Sequence, residues 1–157
     1  MVEAAVGLLA AQFREHDVVL EIALAQDLPA VEANPFSLEE VVLNLMNNAY
    51  DAVEGGDCGR TRTTPEVRIS TRRDDFAGMA GVAIDVADNG TGISPEVLPR
   101  VFDPFFTTKD PDKGTRLGLS VSKGIMEELK GGLQIRSEPG LGSTATISLP
   151  AMANPAA

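Results

Sequence analysis

The sequence predicts an α+β fold, a two-layer α/β sandwich in which a mixed, mostly antiparallel sheet is covered on one face by helices. Two patterns carry that prediction. Segments with an apolar residue every three or four positions are interspersed with segments in which every second residue is apolar, in the order helix, strand, helix, two strands, helix, two strands. Each strand pair is split by turn residues, which marks a hairpin and antiparallel neighbours.

Residues 2–14 are rich in Ala and Leu and read as a helix, and Val18-Val-Leu-Glu-Ile-Ala-Leu24, with its β-branched content, reads as a strand. Ser37 with Glu40 forms a capping box behind Asn34 and Pro35, so the next helix is expected to start near residue 37. Leu38, Val41, Val42, Leu45, Ala49, Ala52 and Val53 give it one apolar face, and Gly55-Gly56 ends it. After a polar loop over 57–65, Val67, Ile69 and Thr71 alternate with polar residues; Asp74 to Gly78 is expected to turn, and Val82, Ile84 and Val86 lead into Asp88. Ser94-Pro95-Glu96 opens a short helix, with serine as its cap and proline at the first helical position. Leu117 to Lys130 is a longer helix, with Leu117, Val121, Ile125 and Leu129 four apart and Gly131-Gly132 as its stop. Leu133 to Ser137 and Ser143 to Leu149 are the last strands, joined by Glu138-Pro-Gly-Leu-Gly142.

A chain of 157 residues can bury a core of its own, so residues 1–150 are expected to form one domain and Ala151 to Ala157 an unstructured tail. The formal charge of -10 argues against nucleic acid or an anionic membrane as a partner, because the long-range field repels both. Cys58 is the lone cysteine, so no intrachain disulfide forms and a reducing cytoplasm is the expected compartment. No apolar run approaches the roughly 20 residues that span a bilayer, and no charged leader opens the chain, so direct membrane contact is not expected.

The chemistry lies in two glycine clusters and one helix. Asp88-Asn-Gly90-Thr-Gly92-Ile93 and Gly114-Thr-Arg-Leu-Gly118-Leu-Ser bracket a short apolar and basic stretch. Glycines let backbone approach a ligand closely, and a glycine-rich turn before a helix aims unpaired N–H groups at phosphate. On the helix after Ser37, Glu40, Asn44, Asn48 and Asp51 recur at i, i+4, i+8 and i+11, a polar stripe beside the apolar one. An amide oxygen there suits Mg2+, which keeps several waters and binds through one or two protein oxygens plus nucleotide phosphates.

Asn44-Leu-Met-Asn-Asn48-Ala, Asp88-Asn-Gly90-Thr-Gly92-Ile, Phe102-Asp-Pro-Phe105-Phe106-Thr-Thr-Lys109, Gly114-Thr-Arg-Leu-Gly118-Leu-Ser and Gly140-Leu-Gly142-Ser143-Thr-Ala stand in order along the chain. In order and spacing they resemble the asparagine and glycine boxes of sensor histidine kinases, within the gyrase, Hsp90, histidine kinase and MutL type of ATP-binding (Bergerat) fold. The wording is most similar to that of nitrogen-regulatory and dicarboxylate-sensing kinases. The resemblance implies that Asn48 coordinates Mg2+, that Asn44 supports the phosphates or metal, and that Asp88 accepts a hydrogen bond from the adenine amino group. It implies that Gly90 and Gly92 pass close to the base, that Ser143 completes the adenine side, and that Phe102 to Lys109 begin a lid with Lys109 near the phosphates. Gly114 and Gly118 would set the next helix against the phosphates, and Asp51, Ile93, Phe105, Thr107, Thr108, Thr115, Arg116, Leu117 and Leu119 complete the implied contacts. The implied activity is transfer of the ATP γ-phosphoryl group to a histidine on a dimerisation domain of a longer parent chain, itself free to be membrane-anchored, with a response regulator acted on indirectly. An anti-sigma-type serine kinase and a nucleotide-binding regulatory module without transfer activity are the alternatives.

Two departures qualify the resemblance. Hydrolysing members of the fold carry a glutamate where Asn44 stands; an amide cannot take a proton, so general-base hydrolysis is not expected. Arg116 stands where the pattern has glycine, and either costs roughly 1 to 2 kcal/mol in a φ > 0 conformation or adds a guanidinium contact to phosphate. His16 lies between a helix end and a strand and is expected to be an exposed loop residue, not a phosphoacceptor.

Overall fold

The computed structural model describes residues 2–54, 64–76, 78–103 and 118–151. Helix α1 (Val2–Glu15) buries Ala5, Val6 and Phe13 and ends on a left-handed residue, Asp17 at φ 55. There the Val18 N–H reaches the Phe13 carbonyl at 2.9 Å, which satisfies an orphan acceptor of the last turn and starts strand β1 (Val19–Ala23).

Helix α2 (Pro35–Glu54) starts two residues before the predicted position. Asn34 Oδ1 accepts the Phe36 N–H at 2.9 Å and the Ser37 N–H at 3.4 Å, so Asn34 is the cap and Ser37 lies inside the first turn. Asparagine caps as well as serine, and Pro35 is pre-set for the first helical position that follows it.

Strands β2 (Glu66–Phe76) and β3 (Met79–Asp88) run further than predicted, because Asp74 and Asp75 pair with Gly81 and Ala80 instead of turning. Only residues 77 and 78 separate the strands, and Gly78 takes φ 80, as a tight hairpin needs to follow strand twist. The predicted helix at Ser94 is instead a turn that runs into a single 3-10 turn, Leu98–Arg100, in which Val97 and Leu98 both donate to the Ser94 carbonyl at 3.0 Å. Pro99 has no N–H to give the Pro95 carbonyl, so the α-type bond from Leu98 to Ser94 is not continued.

Helix α3 (Gly118–Glu128) is followed by β4 (Gly132–Glu138) and β5 (Gly142–Pro150). The left-handed stop of α3 is Lys130 at φ 60, with the Gly131 N–H on the Met126 carbonyl at 2.9 Å. Gly131 is needed for space: a Cβ there would run into the Ser148 carbonyl and the Met126 side chain.

Among the described residues the sheet has five strands in the order β1-β2-β3-β5-β4; β1 and β2 are parallel and every other pair is antiparallel. The parallel pair needs a long crossover, which α2 supplies. Val67 and Ile69 of β2, Ile84 and Val86 of β3, and Ile147 and Leu149 of β5 are buried on one face, where they meet Phe13, Met46 and Met126 of the three helices. The other face is polar. Arg72 bonds Asp85 at 2.8 Å and Thr146 Oγ1 bonds it at 2.6 Å; burial pushes the Asp85 carboxyl up, but these two partners outweigh it and hold the carboxyl below its usual range. The two-layer sandwich predicted from the sequence is the fold observed. Ala151, the first residue of the expected tail, bridges Val31 and donates to the Ala80 carbonyl at 2.9 Å; residues 152–157 lie outside the described part.

Candidate functional site

Strand register assembles the first half of the site. Asp88 at the end of β3 pairs with Ser143 of β5, and Ser143 pairs with Ser137 of β4, so three polar side chains form a row across adjacent strands on the helix-covered face. Asp88 is the last residue of a run whose other inward members, Val82, Ile84 and Val86, are apolar and buried. Burial pushes its carboxyl up to about 6, against the lowering pull of backbone N–H groups of Gly90 and Ser143. Its Oδ1 accepts the Gly90 N–H at 2.9 Å, which turns the chain sharply out of the strand.

The glycines in this turn serve backbone-to-backbone packing. A Cβ on Gly90 would stand 2.5 Å from the Ala52 carbonyl of α2, and Gly92, at φ 75, lies against the Glu138 carbonyl. Gly142, at φ 127, leaves no room for a Cβ beside the Asp88 carbonyl. These glycines let the backbone approach α2, the end of β4 and Asp88 itself. Gly140 seals the same corner through its N–H on the Thr91 carbonyl at 2.7 Å.

Helix α2 supplies the second half. Asn44, Asn48 and Asp51 are half-buried on it, whereas Glu40, the first residue of the predicted stripe, is exposed. Ala52, against which Gly90 packs, follows Asp51 directly, and Asn44 lies two helical turns earlier, about 12 Å along the axis. There Asn44 Nδ2 donates to Ser122 Oγ of α3 at 3.1 Å, and Ser122 is fully buried. Gly90 and Ala52 thus pack the turn after the Asp88 carboxyl on α2, and the Asn44 amide lies two turns earlier on that helix.

Of the other predicted residues, Ile93 donates its N–H to Ser137 Oγ at 2.6 Å, Gly118 is the first residue of α3 and Leu119 packs partly buried against the core. Phe102 is half-buried, with Lys123 Nζ of α3 4.8 Å from its ring centroid, a cation–π contact and not simple core packing. Phe105, Phe106, Thr107, Thr108, Lys109, Gly114, Thr115, Arg116 and Leu117 lie outside the described residues. His16 is exposed in the turn after α1, edge-on to Tyr50 with ring centroids 5.7 Å apart. Among the described residues no group of three or more His, Cys, Asp or Glu could hold a metal by itself.

Three contributors escaped sequence reasoning. Ser122 and Ser137 sit in helix and strand patterns where serine carries no signal. Asn89, read only as part of the first glycine cluster, clamps the start of β2: its Oδ1 accepts the Glu66 N–H and its Nδ2 donates to the Thr64 carbonyl, both at 2.8 Å.

Residues 33–153 match the family described as histidine kinase-, DNA gyrase B- and HSP90-like ATPase. The sensor kinase CckA of Brucella abortus is 40% identical over 146 residues, 91% of this chain and 15% of that protein. The C4-dicarboxylate transport sensor protein DctB of Rhizobium meliloti is 34% identical over 149 residues, 95% of this chain and 22% of its own length. The crystal structure of full-length ShkA in complex with AMPPNP superposes with a TM-score of 0.77 at 23% identity, covering 98% of this chain and 30% of ShkA. The chain therefore spans less than a quarter of the length of either curated relative. A five-stranded sheet with three helices on one face, glycine turns at the ends of its strands and an asparagine-bearing helix beside them fit one assignment: this chain belongs to the histidine kinase-, DNA gyrase B- and HSP90-like ATPases, as an ATP-binding catalytic domain of the kind found in sensor histidine kinases.

Proposed function

We propose that this domain binds ATP or ADP with Mg2+ and, within a longer parent kinase, passes the γ-phosphoryl group to a histidine on that parent's dimerisation domain, from which a response regulator takes it. The observation that carries the reading is Asp88: a carboxyl buried at the end of an apolar strand, held by backbone N–H groups and bordered by glycine turns, is an acceptor kept for a specific donor. The adenine amino group is such a donor, and guanine presents a carbonyl at the same place. Asn48 and Asn44, half-buried one turn apart on α2, would hold Mg2+ and the phosphates. A site with no carboxylate cage of its own suits Mg2+, which takes most of its ligands from phosphate and water. Bound there, the ion would neutralise charge developing on the transferred group.

The chain's own residues would orient and exclude rather than react. Asn44 has no basic oxygen to activate water, which favours transfer to a docked acceptor over hydrolysis. The anti-sigma-type serine kinase is not favoured, since the relatives named above are sensor kinases. CckA, DctB and the AMPPNP-bound ShkA support the nucleotide and the parent architecture by likeness.

Calorimetry with Mg2+ tests the reading. ADP and ATP should bind and GTP should bind at least tenfold more weakly, whereas equal affinities would remove the role given to Asp88. Incubated alone with labelled ATP, the domain should acquire almost no acid-labile phosphate and release little; rapid steady hydrolysis would place it on the ATPase branch of the fold.

A further inference from the structure

Three polar groups converge on the hydroxyl of Ser137, near the end of β4. Its oxygen receives the Ile93 N–H at 2.6 Å, lies 3.1 Å from the Gly142 carbonyl and is 2.9 Å from the hydroxyl of Ser143. A serine hydroxyl has one proton to give and two lone pairs to offer. A carbonyl only accepts, so the Ser137 proton belongs to Gly142. Its lone pairs then serve the Ile93 N–H and the proton of Ser143. Ser143, having spent its proton, retains only lone pairs, and it stands in register beside Asp88 on the same face of the sheet.

We propose that Ser137 is a specificity-determining positioning residue: by holding the proton of Ser143 it makes Ser143 a second acceptor next to Asp88. The site then takes a purine with an amino group at its 6-position and rejects one with a carbonyl there. This rests on the nucleotide reading given above and adds to it a residue that does not face the base. An amino group offers two hydrogens, enough for two acceptors. A 6-carbonyl meets lone pairs on both sides, with no donor to relieve it. Without Ser137, the Ser143 hydroxyl is free to rotate and donate to that carbonyl.

The discriminating ligands are ADP and inosine diphosphate, which differ only at the 6-position and the protonation of N1, with affinities measured by calorimetry in Mg2+. In Ser137→Ala the preference for ADP should narrow about fivefold to tenfold, chiefly through tighter inosine diphosphate binding. Adding Ser143→Ala to that variant should widen the preference again, because the freed donor is gone. Ser137→Thr, which keeps the hydroxyl, should retain the parent ratio. Should the alanine variant not fold, Ser137→Cys fills the space with a poor hydrogen-bonding group and should narrow the ratio in the same sense. A ratio that stays constant while both nucleotides weaken equally would overturn the proposal, since Ser137 would then only brace the Ile93 turn. Absence of ADP binding by the unaltered domain would instead overturn the nucleotide reading on which the proposal stands.

Discussion

Asn44 Nδ2 on α2 donates to Ser122 Oγ on α3 at 3.1 Å, tying the helix that carries the asparagine stripe to the helix that follows the second glycine cluster. The bond engages the amide nitrogen of Asn44 and not its oxygen. Ser122→Ala removes the partner from a partly buried amide, at a cost of about 1 to 2 kcal/mol. The melting temperature should fall by roughly 3 to 6 °C. A double-mutant cycle with Asn44→Ala should show about 1 kcal/mol of coupling, and a flat cycle would mean that the two side chains act independently.

Asn48→Ala should separate metal from base. Removing an amide oxygen from α2 leaves the Asp88 row untouched, so the enhancement of ADP affinity by Mg2+ should shrink about tenfold while adenosine binding stays within twofold. Equal loss of both would show that the substitution had disturbed the helix.

Gly142 and Gly7 predict opposite responses to the same change. Gly142 has φ 127 and no space for a Cβ beside the Asp88 carbonyl, so Gly142→Ala should destabilise by at least ~3 kcal/mol and lower the melting temperature by about 10 °C. Gly7 is exposed within α1, and a methyl group added there would meet nothing within 4 Å, so Gly7→Ala should stabilise by about 0.5 to 1 kcal/mol. A neutral Gly142→Ala would show that the β4–β5 turn can reorganise.

Asp88 sets a pH dependence whose sign follows from its raised pKa. Burial holds the folded carboxyl at about 6, above its unfolded value, so the folded state keeps a proton that the unfolded state loses. The stability contributed in this way is complete below the unfolded value and lost as pH rises through about 6, an effect on the order of 2 to 3 kcal/mol. Asp88→Asn should therefore match the unaltered domain near pH 4 and exceed it in melting temperature at pH 7. Nucleotide affinity should run the other way, weakening as pH falls through 6 and the acceptor becomes protonated. A stability difference independent of pH would show that the carboxyl is not desolvated in the unliganded domain.

Much of this protein was legible in its residues taken singly and in their spacing. The alternation of Val82, Ile84 and Val86 into Asp88 placed a carboxyl at the end of a buried strand, and the four-residue recurrence of Asn44 and Asn48 put two amides on one side of a helix. Both are local periodicities, which the backbone geometry of strand and helix imposes without help from the rest of the chain. The cap of α2 was misplaced by three residues because Asn34 and Ser37 are equally able to cap, and only the hydrogen bonds choose between them.

Tertiary structure decided what those residues face. Serines 122, 137 and 143 are far apart or separated by a turn in the sequence, and nothing in serine's chemistry distinguishes a buried hydroxyl from a solvated one. Strand register and helix packing bring Ser143 to Asp88, Ser137 to Ser143 and Ser122 to Asn44. The sequence marked Gly90 and Gly92 as places of close approach; the fold adds that the Ala52 and Glu138 backbone lies against them and that Gly142 lies against Asp88, since which surfaces meet depends on long-range pairing that no local pattern encodes.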